Sequence, residues 1–237
     1  MGNSELTQNQ SGDYVVIAAK CALGAIPVFG SLLAELAGNY IPNQRIDRIT
    51  KFALLLEKRL DEVERNVFAD RIKTPAGADL LEEGMRQAAS SLSDDRREYI
   101  ANLIAYGISS ADIGDHESKH LLRLLGELSD AEIIWLRSYA DRGFSGDQGF
   151  REKHAAVLDV QPPHMQSPQS VHDKNALVNS YKLHLARLGL LQEQYAVDQK
   201  TKLPKTDFSG RLVVKGYGLT SLGQLLLRFI GLPDGLS

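Results

Sequence analysis

Residues 173–231, DKNALVNSYKLHLARLGLLQEQYAVDQKTKLPKTDFSGRLVVKGYGLTSLGQLLLRFIG, decide the fold of this 237-residue chain. Leu177, Val178, Tyr181, Leu185 and Leu188 recur at helical spacing, which predicts a helix opening at Asp173. Gly189 stands just past the last of them, where a left-handed C-cap belongs. An extended segment from Leu190 to near Val197 comes next, and then a polar, lysine-bearing tip over 198–210. Residues 211–217, RLVVKGY, return as a β-branched strand. Thr220 is placed to cap a last helix over 221–230. The predicted order is helix, two-stranded wing, helix.

The words Leu188-Gly-Leu-Leu191 and Leu219-Thr-Ser-Leu-Gly223 give this segment a resemblance to winged-helix domains. Helices expected at 129–142 and 150–159 would complete such a domain over 129–231. Upstream, the expectation is a helical bundle over 13–128, preceded by a disordered tail, 1–12, and with a short tail at 232–237. The fold class is therefore mainly α, with an N-terminal helical bundle followed by a winged-helix-like domain.

Bulk properties exclude several classes. A composition 43% hydrophobic and 24% charged does not belong to a largely disordered chain. One cysteine, Cys21, excludes an internal disulfide framework. The first twelve residues are polar, with no basic stretch ahead of an apolar core, so no signal peptide is expected and the location read is cytoplasmic. The net charge of −3 is unevenly spread: residues 172–237 hold nine basic and five acidic side chains, against 18 and 25 in the rest. A basic end on an acidic body points to an anionic partner, or to the two parts docking on each other.

Residues 14–40 are apolar and rich in small residues, with only Lys20 and Glu35 charged, and Gly24, Pro27 and Gly30 divide them into two short helices. Leu23, Ile26, Pro27, Val28, Phe29, Leu32 and Leu33 form the tip and flanks of that hairpin. It reads either as a buried core hairpin or as a membrane or oligomer element, one that leaves the core for a bilayer, making the protein peripheral to membranes on activation, or joins copies of the chain; a single-span helix needs about 20 unbroken apolar residues. Next, Ile46, Ile49, Ala53, Leu56, Leu60, Val63 and Val67 alternate at three and four, predicting one helix of three heptads, widened by Phe52 and Leu55. Further helices are expected at 79–90, 94–108 and 117–128, with Ser93 capping the second and Ser129-Asp-Ala-Glu132 forming a capping box for the next. Trp135, the only tryptophan, is read as core. Residues 161–170, with three prolines, are expected to be irregular.

His116-Glu-Ser-Lys-His120 has the H-E-x-x-H form, in which two imidazoles one helical turn apart hold zinc and the glutamate activates water. Lys119 brings a cation towards that position, and the third ligand would have to be Glu127, Glu132 or His154. A zinc metallohydrolase is thus a third reading behind two others, and the expectation is a non-enzyme with no catalytic residue, metal or cofactor. The basic end offers Lys174, Asn175, Asn179 and Lys182 along the helix and Lys200, Lys202, Lys205 and Arg211 on or beside the wing, a candidate face for DNA or another anionic partner. A protein partner or self-association is expected, nucleic acid and membrane remain open, and no small-molecule substrate is evident.

Arg97-Glu-Tyr-Ile-Ala-Asn-Leu-Ile-Ala-Tyr-Gly107, followed by Leu121-Leu-Arg-Leu-Leu-Gly-Glu-Leu-Ser-Asp-Ala-Glu132 and then the wing ending in Leu219-Thr-Ser-Leu-Gly223, resembles the bacterial abortive-infection alpha family over residues 43–231. The family's tryptophan ahead of the Ala-Asn-Leu-Ile-Ala word is absent here, with Tyr99 nearest. The resemblance implies phage defence, in which a helical bundle joined to a winged helix restrains or executes toxicity; the family pattern supplies no catalytic residues. The leading expectation is an interaction or effector protein of that kind; a winged-helix transcriptional regulator is the alternative.

Overall fold

The structure, a computed structural model, describes residues 43–60, 62–110, 113–140, 147–199 and 201–232. The hairpin residues Leu23, Ile26, Pro27, Val28, Phe29, Leu32 and Leu33, the tail 1–12, and Lys200 lie outside them. Among the described residues the chain is mainly helical, with ten helices and one two-stranded antiparallel sheet. No helix among them is long and apolar enough to cross a membrane. The chain divides into two compact bodies, one of residues up to Gly126 together with Phe229–Gly231, the other of Glu127–Arg228 together with Leu232.

The first body holds α1 (Asn43–Arg59), α2 (Glu62–Arg71), α3 (Pro75–Ser90), α4 (Asp94–Ser109) and α5 (Asp115–Glu127). The single three-heptad helix expected from 46 to 67 is instead two helices, α1 and α2. Leu60 keeps a helical bond to the Leu56 carbonyl, and the second helix starts at Glu62. Phe68, not Val67, points inward: Phe68 is fully buried and Val67 is 40% exposed. The seam of α1 is as expected, with Ile49, Phe52, Ala53, Leu56 and Leu60 all buried. α3 begins at Pro75, ahead of the expected 79, because Thr74 accepts from the Gly77 N–H and Pro75 occupies a first-turn position where its missing donor costs nothing.

Polar groups fix the helix ends. Ser93 accepts from the Arg96 N–H at 3.1 Å and caps α4. Arg97, buried, donates to the Ser91 carbonyl at 2.8 Å and pairs with Asp94. That guanidinium, as bond donor and then as nearby charge, holds the Asp94 carboxyl below the usual range. Asn102 donates to the Ile230 carbonyl at 3.0 Å, and Tyr106 packs on Phe229 with ring centroids 4.5 Å apart, so α4 gathers residues 229–231 into this body.

The second body comprises α6 (Asp130–Ser138), α7 (Gln148–Lys153), α8 (Ala155–Leu158), α9 (Gln169–Arg187), β1 (Leu191–Tyr195), β2 (Val214–Leu219) and α10 (Ser221–Phe229), the last residue of α10 belonging to the first body. The helix expected at 150–159 is divided at His154 into α7 and α8. α9 starts at Gln169, before the expected Asp173, directly after Pro168. Its end is a Schellman motif: Gly189 adopts φ +74°, its N–H bonds the Ala186 carbonyl, and the Leu190 N–H reaches back to Leu185. Leu185 and Leu190 are both fully buried, the apolar contact that accompanies this cap.

β1 and β2 pair with Leu191 opposite Leu219 and Gln192 opposite Gly218, and the register shifts between Gln194 and Tyr195. Thr220 locks the base of the hairpin. Its hydroxyl donates to the Gly189 carbonyl at 2.7 Å and accepts from the Gly223 N–H at 3.0 Å, while its own N–H bonds Leu190. A Cβ at Gly223 would meet the Leu190 carbonyl and the Leu219 side chain, so this close crossing requires glycine. The two sequence words at 188–191 and 219–223 are thus two sides of one joint.

Candidate functional site

Beyond the register shift, the polar tip expected at 198–210 is internally paired rather than a plain loop. Ala196 and Val213 flank a middle limb: the Lys205 N–H bonds the Ala196 carbonyl at 2.7 Å, and the Val213 N–H bonds the Lys205 carbonyl at 2.9 Å. Isolated bridges join Val197 to Pro204 and Thr206 to Leu212. Two carboxylates hold the turns between these limbs. Asp198 accepts from the Thr201 N–H at 2.9 Å. Asp207 accepts from the Ser209 N–H and hydroxyl and from the Arg211 N–H, and the Ser209 hydroxyl, then the Arg211 N–H, hold its carboxyl below the usual range. Lys202 takes φ +61°, the only non-glycine residue with positive φ among those described.

Side chains on this arm face solvent. Phe208 is completely exposed, Leu203 65% and Val197 50%, with Leu212, Val213 and Val214 also exposed. Lys202, Lys205 and Arg211 stand exposed among them, joined by Lys215, which lies outside the expected basic face. The sequence signal available was the alternation of lysines with isolated large apolar residues through 202–215, which reads as a solvated loop until the limbs are paired.

Along α9 the predicted basic face is only partly available. Lys174 and Asn179 are exposed. Asn175 is not an open reader of bases: its amide donates to the carbonyls of Gln161 and Val171, both at 2.8 Å, pinning the irregular segment ahead of the helix. Lys182 is not an open cation either. Its ammonium lies 4.7 Å from the Trp135 ring centroid, and burial lowers its pKa from the ordinary lysine value. The structure brings together Lys202, Lys205 and Arg211 on one arm and withdraws Asn175 and Lys182 from any common face.

His116, Glu117 and His120 stand exposed on α5, and the residue of that turn facing inward is Ser118, fully buried and bonded to the Gly114 carbonyl at 3.1 Å. Lys119 pairs with Asp79. No group of three His, Cys, Asp or Glu side chains among the described residues is arranged to hold a metal.

One tertiary feature has no local signature in the sequence. A cavity of about 590 Å³ opens in the second body, walled by Trp135, Ser138 and Tyr139 of α6, Arg151 and Leu158 of α7 and α8, and Gln192, Gln194, Tyr217, Gly218 and Leu219 of the hairpin base. Trp135, expected in the core, is instead half-buried in this wall, and its indole N–H is enclosed without a hydrogen-bond partner. The reason is its neighbours: on α6 the inward apolar positions are taken by Ile133 and Leu136, and Ala140 is buried just beyond the helix. Burial, and then the proximity of Tyr217, push the Tyr139 phenol up to about 12. Behind the cavity the capping box closes as expected: the Ser129 N–H and hydroxyl donate to one Glu132 oxygen, and the Glu132 N–H donates to the Ser129 hydroxyl. The other Glu132 oxygen accepts from His184 Nδ1 at 2.6 Å, joining α6 to α9. No family model, curated protein or solved structure matches this chain.

Proposed function

We propose that this chain is a non-enzymatic interaction protein of the abortive-infection type, whose winged-helix-like second body docks an acidic protein partner through its wing. One observation carries the reading: the wing projects Phe208, Leu203 and Val197 into solvent, interleaved with Lys202, Lys205 and Arg211. Isolated large apolar side chains on a structured, doubly turned arm are costly to leave in water and gain on burial against a partner. The surrounding cations select an acidic surface and speed the encounter. Duplex DNA is the second reading. It keeps the basic wing but has lost Asn175 and Lys182 as contacts, and DNA offers little to bury Phe208. Within the defence reading, the apolar stretch 14–40 serves as the membrane or oligomer element.

The test is a plating assay. Bacteria expressing the chain are challenged with a phage panel beside cells expressing Leu203→Asp/Phe208→Asp at equal protein level. Plating efficiency should fall with the native chain and recover with the variant. No protection from the native chain, or full protection from the variant, overturns the reading. Salt-dependent duplex binding abolished by Lys202→Glu/Lys205→Glu would assign the wing to DNA instead. Dye release from anionic vesicles, weakened by Phe29→Asp, tests the membrane element separately.

A further inference from the structure

The cavity of the second body has a chemistry that docking does not explain. We propose that it is a carbohydrate site, taking a neutral pyranose either as a free monosaccharide or as one residue of an oligosaccharide. Its volume, about 590 Å³, lies within the range of about 300–1,000 Å³ of small-ligand sites. The wall decides the class. Leu158 and Leu219 are its only aliphatic side chains, a poor lining for a purely apolar ligand. Charge argues against an anion. Arg151, the one cation of the wall, is already engaged within the protein, and Lys182, over the Trp135 ring, is not part of the wall. Glu193 stands directly across from Tyr217 on their shared sheet face, and burial, then that carboxylate, raise the Tyr217 phenol. An anionic ligand would be repelled there.

The remaining wall is neutral and of two kinds. Trp135 and Tyr139 are four apart at the end of α6, which puts both rings on one side, a turn from each other. Ring faces carry partial negative charge and attract the C–H groups that a pyranose presents above and below its own ring. Gln192 and Gln194 lie on the sheet face opposite Tyr217 and Glu193. They reach the cavity because Gly218, across from Gln192, has no side chain: a Cβ there would stand 2.7 Å from the Gln194 amide nitrogen and 3.6 Å from that of Gln192. Two carboxamides thus close together over one glycine of the wall. Each both donates and accepts, as does the Tyr139 phenol, which stays neutral because it is pushed up to about 12. The Ser138 hydroxyl donates to the Trp135 carbonyl at 2.7 Å and keeps its oxygen as an acceptor. The hydroxyls round the rim of a sugar also donate and accept, so they match these partners in either sense.

The measurement is direct because Trp135 is the only tryptophan in the chain. Its emission reports occupancy of the cavity, and calorimetry on the full chain checks each titration. The probes are glucose, galactose, mannose, N-acetylglucosamine, maltotriose and chitotriose, with glucose 6-phosphate and AMP as anionic controls. At least one neutral sugar should bind saturably with Kd below about 10 mM, and both anions more weakly than that sugar. Gln192→Ala/Gln194→Ala changes exposed side chains, and the methyl of Gly218→Ala meets only the far ends of those two glutamines. Each variant should weaken binding by about 3-fold or more while the thermal midpoint holds. A trisaccharide that binds more tightly than any monosaccharide identifies the oligosaccharide as the source, and the reverse order identifies the free sugar. The proposal falls if no neutral sugar reaches a Kd of about 10 mM, if either anion binds at least as tightly as the best sugar, or if either variant stays within about 3-fold of the native affinity. A failed plating assay leaves this titration unaffected, since Leu203 and Phe208 are not part of the cavity wall.

Discussion

α1 of the first body and the distal hairpin of the second spend the same kinds of side chain in opposite ways. In α1, Phe52 and Leu56 are fully buried and the charged residues ring the outside. On the hairpin, Phe208 and Leu203 are exposed, and the arm is held instead by backbone bonds and by the carboxylates of Asp198 and Asp207. Burial stabilises α1 by about 1.5–3 kcal/mol for each large apolar side chain, so there hydrophobicity is structural. On the arm the turns hold the shape without it, which leaves the apolar groups in water. The same residue type is therefore core in one region and solvent-facing in the other.

That contrast can be broken by mutation. Phe52→Ala should cost the first body about 3–5 kcal/mol, while Phe208→Ala should change stability by no more than about 0.5 kcal/mol, both read by denaturant unfolding. Equal costs would mean that Phe208 is core and the contrast false. Gly223→Ala, which drives a methyl into the Leu190 carbonyl at the hairpin joint, should destabilise the second body by about 2–3 kcal/mol; an unchanged midpoint would show that the joint relaxes freely.

The Glu132 network sharpens the comparison through pH. Burial pushes the Glu132 carboxyl up, but the Ser129 N–H, the His184 imidazole and the Ser129 hydroxyl together bring it below its ordinary value. A depressed carboxyl stabilises the fold above the unfolded carboxylate range and loses that contribution as pH falls through its folded value. Glu132→Gln should therefore cost about 1–3 kcal/mol near neutral pH, a difference that closes in acid. A gap that widens in acid would reverse the assignment.

The smallest effect concerns Tyr139. Its phenol, raised from 10.0 to about 12, favours the fold below the ordinary tyrosine range, and the contribution disappears as pH climbs through that interval. Tyr139→Phe should flatten the alkaline loss of stability by at most about 1 kcal/mol, and one phenolate should be missing from the late part of an ultraviolet titration.

Much of this architecture was legible because its signals are local. The C-cap at Gly189, the Thr220 cap and the Ser129–Glu132 capping box each depend on residues within a few positions, and each forms as the sequence predicts. The break between α1 and α2 was not legible, because the heptad pattern of 46–67 runs on across it and only packing decides that Phe68 replaces Val67 inside. The same limit applies to the candidate sites. Lys182 and Asn175 read as surface from spacing alone. Their fates depend on Trp135, 47 positions earlier in the chain than Lys182, and on the Gln161 carbonyl.

By itself the sequence determined a mainly helical chain with a hairpin near its end, because periodicity, caps and turn residues act over one or two turns of backbone. Only the tertiary structure decided which polar and apolar groups are left over. It folded the tip into paired limbs that raise Phe208 into water, turned Lys182 onto an indole, and gathered Trp135, Arg151 and Gln192 around one cavity. Those outcomes depend on contacts between segments distant in sequence, and the free energy of such contacts is written in no single stretch of residues.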